Sequence, residues 1–125
     1  MKIAVLITRI LMGLLFLFAS ITFFLKLFPQ PELHGNMKIF NEGLAASIYL
    51  MPFVKIIEFL CAVAFISGRY VTLATVIIFP IILNIFCVHA FLDQQGLPIS
   101  IFLILGNLLL AYNYRKNYKT LFIVK

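Results

Sequence analysis

The sequence predicts an all-α integral membrane protein, built as one domain of four membrane-spanning helices. Hydrophobic residues make up 64% of the 125 residues, and the mean hydropathy is +1.14, whereas only about half of the residues in soluble proteins are apolar. The apolar residues fall into four runs. The length of each run is close to the about 20 residues that a helix needs to cross a bilayer. These runs and their short connections use up the 125 residues, which excludes a separate soluble catalytic domain among them.

The first predicted helix covers residues 5–28. Lys2 and Arg9 give it the basic start of a secretory signal peptide, but its apolar run exceeds about 15 residues and no A-x-A cleavage pattern follows it. We therefore expect a retained helix. Residues 29–51 carry the Pro, Gly, Asn, Glu and His residues of an external loop exposed to water. Irregularly spaced apolar residues within this loop favour a short helix at the membrane surface.

The second predicted helix covers residues 52–68, because proline is favoured in the first turn of a helix and Pro52 stands at the start of the run. A start at Ala45, with a kink at Pro52, is the alternative. It would move the charged side chains of this helix toward the middle of the bilayer. Ala64 and Gly68 form a small-x-x-x-small pair, which favours the close approach of another helix.

The third predicted helix covers residues 70–92 and contains Pro80, which should kink it. A polar turn at residues 93–96 leads to the fourth predicted helix, at residues 98–114, where Pro98 stands in the first turn. Tyrosines and basic residues are mixed at the end of this helix, a pattern typical of a membrane interface.

The basic residues predict the orientation of the chain. With four spans, one membrane side holds Lys2, Arg9, Arg69, Arg115, Lys116, Lys119 and Lys125, whereas the other side holds Lys26 and Lys38. The positive-inside rule therefore places both termini in the cytoplasm. Because the cations behind the net charge of +6 lie at the ends of apolar runs, we expect them to bind anionic lipid headgroups and not nucleic acid.

Polar side chains near the predicted outer face could line one outward-facing pocket. The candidates are Lys55, Glu58, Asn84, His89 and Asp93. Lys55 and Glu58 are three residues apart, and His89 and Asp93 are four residues apart, so each pair can meet on one helix face. Asn84 and Asn107 are expected to form hydrogen bonds between helices.

Two interpretations of Lys55 and Glu58 stay open. Charged side chains inside a spanning helix cost roughly 2.5–3.5 kcal/mol each, so the two can form an internal ion pair that makes the charge tolerable and helps to fix helix packing. In the functional interpretation, Glu58 accepts a proton or a hydrogen bond and Lys55 keeps it ionised. His89 is either satisfied by Asp93, or it acts near the outer interface as a proton relay or as a hydrogen-bond donor to a quinone carbonyl.

The sequence predicts neither a redox motif nor a metal site. Cys61 and Cys87 lie in different apolar runs and form no C-x-x-C pattern, so we expect both to be packing residues. His34, His89 and Asp93 share a predicted membrane side, but their spacing matches no recognised zinc site.

Four stretches resemble the DoxX/DoxD-like family of small bacterial membrane proteins. They are RILMGLLFLFASITFFLKLF in the first helix, VKIIEFLCAVAFISGRY in the second, FPIILNIFCVHAFLDQQGLP in the third, and LGNLLLAYNYRKNYKTLF around the end of the fourth. The resemblance implies a four-helix bundle in the bacterial cytoplasmic membrane, a partner-dependent role near quinone chemistry, and a site position at Glu58. The chain departs from the family at Ala19 and Ser20, where relatives often have glycine, and it has no thiol pair.

The resemblance and the polar residues together predict a membrane subunit or accessory of a quinone-linked oxidoreductase system, with a quinone as the implied ligand. Whether the chain is itself an enzyme is left open. The alternative is a non-catalytic assembly factor or a chaperone-like interaction protein. A small transporter is a third interpretation, which would require oligomerisation to enclose a pathway. The expected partners are membrane lipids and either another protein or further copies of the chain.

Overall fold

The computed structural model describes residues 2–26 and 32–124, which form helices and contain no strand. The α-helices are α1 (Lys2–Leu25), α2 (Gly35–Ala46), α3 (Leu50–Ser67), α4 (Val71–Phe91) and α5 (Leu97–Asn113), with short 3₁₀ helices at Gln94–Gly96 and Arg115–Phe122. Four of the helices in this part of the chain are long and apolar enough to cross a membrane, if α5 is counted with the 3₁₀ turn before it. The predicted all-α membrane bundle is confirmed, and the membrane side of its termini stays a prediction.

The segment between the first two spans, predicted as an external loop at residues 29–51, is partly helical. It contains α2, at the place where the sequence favoured a short helix, and residues 27–31 lie outside the described residues. Residues 47–49 are not helical, and Ile48 has a φ of 71°. One continuous helix from Ala45 through Pro52 is therefore wrong. Pro52 lies in the first turn of α3, where its missing N–H needs no partner.

The connections divide the bundle into two ends. The α3–α4 turn at residues 68–70 and residues 114–124 lie at the end where α1 begins, and we call this the basic end. Residues 32–49 and 92–96 connect helices at the opposite end, which we call the loop end. The long spans alternate in direction between these ends.

Helices α1 and α3 pack antiparallel along their whole length. Near the start of α1, the Arg9 guanidinium lies against Gly68, so a Cβ built on this glycine would be 2.8 Å from Arg9 Nη1. Near the end of α1, the Phe23 ring centroid is 6.0 Å from Lys55 Nζ. These two contacts fix the register that brings α3 alongside α1.

The closest approach of α1 and α3 is at Gly13. A Cβ on this residue would lie 2.6 Å from Ile66 Cγ1 and 3.2 Å from the backbone oxygen of Ala62. The small-x-x-x-small pair at the end of α3 has another role: Ala64 is half-buried, and Gly68 adopts a left-handed φ of 76° and caps the helix through its N–H to the Ala64 carbonyl. Gly13 is thus the glycine that the contact between α1 and α3 requires.

Candidate functional site

The ion pair of Lys55 and Glu58 is the central polar feature of the spanning helices. Both residues lie on α3, and Lys55 Nζ donates a hydrogen bond of 3.1 Å to Glu58 Oε2. Glu58 lies about 12 Å along the helix from its first residue, at ~1.5 Å per residue. Its side chain is 4% exposed, whereas that of Lys55 is 17% exposed. The pairing expected from the i, i+3 spacing is present.

The two members of this pair differ in what they can reach. Glu58 is buried within the bundle, so its charge is neutralised by the lysine and not by solvent. The Lys55 ammonium is partly exposed, lies at cation–π distance from Phe23 of α1, and carries three N–H donors. A ligand arriving from the bilayer would therefore meet Lys55 and not Glu58.

His89 and Asp93 also lie close together, but their carboxylate and imidazole groups are not paired. His89 Nδ1 is 2.9 Å from the backbone oxygen of Asp93, so this nitrogen carries the proton and donates. The Asp93 carboxylate accepts from the Gln95 N–H at 3.2 Å and caps the 3₁₀ turn. The imidazole lies directly against Gly96, where any Cβ would overlap the ring. These residues hold the α4–α5 turn together.

The five predicted pocket residues do not form one connected network. Among the described residues, no hydrogen bond or ion pair joins the Lys55–Glu58 pair to His89 or Asp93. Asn84 is on an exposed face of α4, and no interhelical hydrogen bond from it is found in this part of the chain. The structure thus gives two local pairs and one surface residue. Helical spacing predicts such pairs, but it does not predict which faces of different helices meet.

Asn107 forms the interhelical bond that its position in α5 predicts. Its side chain is 2% exposed, and Nδ2 donates to the Thr75 carbonyl of α4 at 3.2 Å. Asn107 Oδ1 is buried and has no hydrogen-bond partner. The bond ties α4 to α5 on the basic-end half of the bundle.

A second polar network at the basic end was not predicted from the sequence. The Thr75 and Tyr118 hydroxyls are hydrogen-bonded to each other, and Asn117 Nδ2 donates to Thr72 Oγ1 at 2.8 Å. Both contacts anchor the 3₁₀ helix at Arg115–Phe122 against α4. The tyrosines and basic residues in this segment were interpreted as a membrane-interface pattern, and their spacing gave no indication of contacts with α4.

Two grooves on the bundle surface lie toward the basic end. The larger one, of about 800 Å³, runs between α3 and α4 at the basic end. The other, of about 410 Å³, lies between α4, α5 and the 3₁₀ helix that follows α5. Neither groove is lined by any of the five predicted pocket residues. The groove of about 800 Å³ therefore lies at the end opposite to the predicted pocket. A third groove, of about 430 Å³, lies between α1 and α3 toward the loop end and is lined by Ile56 and Phe59, which follow Lys55 and Glu58 in the chain.

The two cysteines differ in burial. Cys61 is buried in the core as predicted, whereas Cys87 is exposed on α4, so its predicted packing role is wrong. In the parts of the chain that the structure describes, no three His, Cys, Asp or Glu side chains come together in a group that could hold a metal ion.

The fold and these sites define a class: a four-helix integral membrane protein with a buried ion pair in its second span. No family model, curated protein or solved structure matches the chain. The similarity to the DoxX/DoxD-like family therefore stays a prediction from the sequence.

Proposed function

We propose that this protein is a membrane subunit or accessory of a quinone-linked oxidoreductase system, in a bacterial cytoplasmic membrane with both termini in the cytoplasm. The observation that carries the proposal is the Lys55–Glu58 pair, with one buried and one partly exposed member inside a spanning helix. Ionisable groups inside a membrane are costly and commonly mark a functional site. The quinone part of the proposal comes from the sequence resemblance.

The pair suggests a division of roles. The Lys55 ammonium has three N–H groups and donates one of them to Glu58. From its exposed side it donates another to a quinone carbonyl. Glu58 is a positioning residue, since its carboxylate holds the lysine and balances the charge. The Phe23 ring beside Lys55 gives the quinone ring an apolar neighbour. The partner protein supplies the electrons.

The test is purification of the tagged chain from its native membrane in mild detergent, followed by mass spectrometry of proteins and extracted lipids. We expect a dehydrogenase partner and a bound quinone with the wild-type chain. The double variant Lys55→Met/Glu58→Gln removes both charges together, so it should retain the partner and lose the quinone. Recovery of the wild-type complex without any quinone would contradict the proposal.

A non-catalytic assembly factor or chaperone-like interaction protein is the second candidate. It is favoured because polar side chains find hydrogen-bond partners close to them in the chain: Lys55 binds Glu58, and His89 binds the backbone of Asp93. Such pairs stabilise the helix faces without requiring a ligand. A stable protein partner that is recovered without quinone, equally with the wild-type chain and the double variant, would support this second candidate.

A further inference from the structure

We propose that the groove between α3 and α4 is a binding site for one anionic phospholipid, with the phosphate at Arg69 and an acyl chain in the groove. The volume of about 800 Å³ falls within the roughly 300–1,000 Å³ of ligand pockets in proteins. The inference does not depend on the quinone-linked function, because it concerns a different face and the opposite end of the bundle.

The groove exists because small side chains form its floor. Cys61 and Ala64 on α3 face Ala74 on α4, and Cys61 Sγ lies 3.9 Å from the Ala74 carbonyl oxygen. Larger apolar residues form the walls, and among them Leu60 and Leu73 are exposed. A floor of small residues between apolar walls suits the chemistry of a hydrocarbon chain.

The polar lining is confined to the basic end of the groove. Ser67, Arg69 and Tyr70 follow one another at the α3–α4 turn and line its mouth. The Ser67 hydroxyl donates to the Ala64 carbonyl and accepts from the Arg69 backbone N–H, so it is occupied within the turn. The Arg69 guanidinium has no ion-pair partner among the described residues. It is the group available to an anion from the bilayer surface.

A second cation, on α1, lies against the same turn, although it does not line the groove. The Arg9 guanidinium packs against Gly68, next to Arg69 in the chain, and Arg9 Nε is buried without a hydrogen-bond partner. Two guanidinium groups near one turn attract anionic lipid headgroups. The planar guanidinium also suits a phosphate, which it can bind through two N–H groups.

The charge distribution favours a lipid over a second copy of the chain. The four acidic residues are Glu32, Glu42, Glu58 and Asp93. Three of them lie at the loop end, and Glu58 is already paired with Lys55. A parallel copy seated in the groove would bring further cations to the basic end and no Asp or Glu side chain to neutralise Arg69. Lipid phosphate supplies that charge.

The chain has no tryptophan, which permits a site-specific fluorescence test. Tyr70→Trp places one reporter at the mouth of the groove, and Tyr112→Trp places a matched reporter away from it at the same end; both tyrosines are exposed. Each protein is reconstituted in phosphatidylcholine vesicles containing brominated phosphatidylglycerol or brominated phosphatidylcholine. Bromine quenches the reporter only when the brominated lipid occupies a neighbouring position.

We expect the Tyr70→Trp reporter to show an about fivefold preference for phosphatidylglycerol, the size expected from one cation near an anionic membrane surface. Adding Arg69→Gln should remove this preference without changing the signal of the Tyr112→Trp reporter. Lys116→Gln, which removes an exposed cation outside the groove, should leave the preference at Tyr70→Trp intact.

A second variant separates lipid binding from a general surface charge effect. Ala64→Phe fills the floor of the groove, so it should reduce quenching at Tyr70→Trp by both lipids while circular dichroism shows retained helix. Leu105→Phe, on an exposed face of α5, is the size control. Equal quenching by the two lipids, or a preference that survives Arg69→Gln, would overturn the proposal. Disulfide cross-linking of two copies through Ala64→Cys, in a chain that also carries Cys61→Ser and Cys87→Ser, together with weak quenching, would overturn it in favour of a dimer.

Discussion

Replacing Lys55 with methionine should destabilise the bundle by about 3 kcal/mol. The substitution keeps the apolar stem but leaves Glu58, which is 3% exposed, without its counter-ion. Removing one partner of a buried ion pair typically costs about 3–5 kcal/mol. We expect the lower end of that range, because the gap left by the partly exposed lysine can admit water to the carboxylate.

Neutralising Glu58 and keeping Lys55 should reduce the stability of the bundle by a smaller amount. Glu58→Gln leaves Lys55 with a neutral partner, and the lysine is close enough to the loop end for its ammonium to move toward water along its flexible stem. We expect a loss of about 1 kcal/mol by this mechanism. The double variant removes both charges and should be within about 1 kcal/mol of the wild type, since neutral replacement of a buried pair is commonly tolerated. The two substitutions would then be strongly non-additive.

The assay is reversible unfolding of the purified protein in mixed micelles with increasing dodecyl sulfate, followed by circular dichroism. Lys38→Met is the matched control, because Lys38 is an exposed cation on α2 without an ion pair in the described part of the chain. A loss below about 0.5 kcal/mol for Lys55→Met, within the range of ordinary surface substitutions, would refute the role of the lysine as counter-ion. So would simple additivity in the double variant.

Two other predictions can be measured in the same unfolding assay, and a third is measured by nuclear magnetic resonance. Gly13→Ala should cost about 1–3 kcal/mol, as overpacking does, because its Cβ would press on Ile66 and on the α3 backbone, and an unchanged stability would contradict the packing of α1 on α3. Asn107→Ala should cost about 0.6–1.7 kcal/mol, the range for a membrane hydrogen bond, and no loss would mean that its bond to Thr75 contributes nothing. Gly96→Ala should displace the His89 ring, which an altered imidazole signal in nuclear magnetic resonance would show; an unchanged signal would contradict that contact.

The sequence predicted the spans well because membrane insertion depends on local properties. The length and polarity of each run determine whether it can cross a bilayer, so the four spans are visible without any knowledge of their contacts. The predicted ends of the helices differ from the observed ends by a few residues. Pro52 was read as the first residue of its helix, whereas α3 begins at Leu50, because proline is tolerated throughout the first turn. The 3₁₀ helix after α5 was not anticipated, since it is held by contacts with Thr72 and Thr75 of another helix.

The candidate site was predictable only within single helices. The spacing of Lys55 and Glu58 predicts their contact, and the spacing of His89 and Asp93 predicts their proximity. In the structure the Asp93 carboxylate accepts a hydrogen bond from the Gln95 N–H in the 3₁₀ turn, and His89 binds the backbone oxygen of Asp93. Spacing alone cannot predict this choice of partner. Nor can it place Asn84, since the rotation of α4 about its axis depends on packing against its neighbours. The larger groove was missed because it depends on which faces of α3 and α4 meet.

The most direct test of the proposed function is the redox state of the quinone pool in native membranes. Membranes with and without this chain are supplied with the electron donor of the co-purified dehydrogenase, and the reduced fraction of the pool is followed over time. We predict slower quinone reduction without the chain, restoration by the wild type, and no restoration by Lys55→Met/Glu58→Gln at equal protein level. Identical reduction rates with and without the chain would contradict the account.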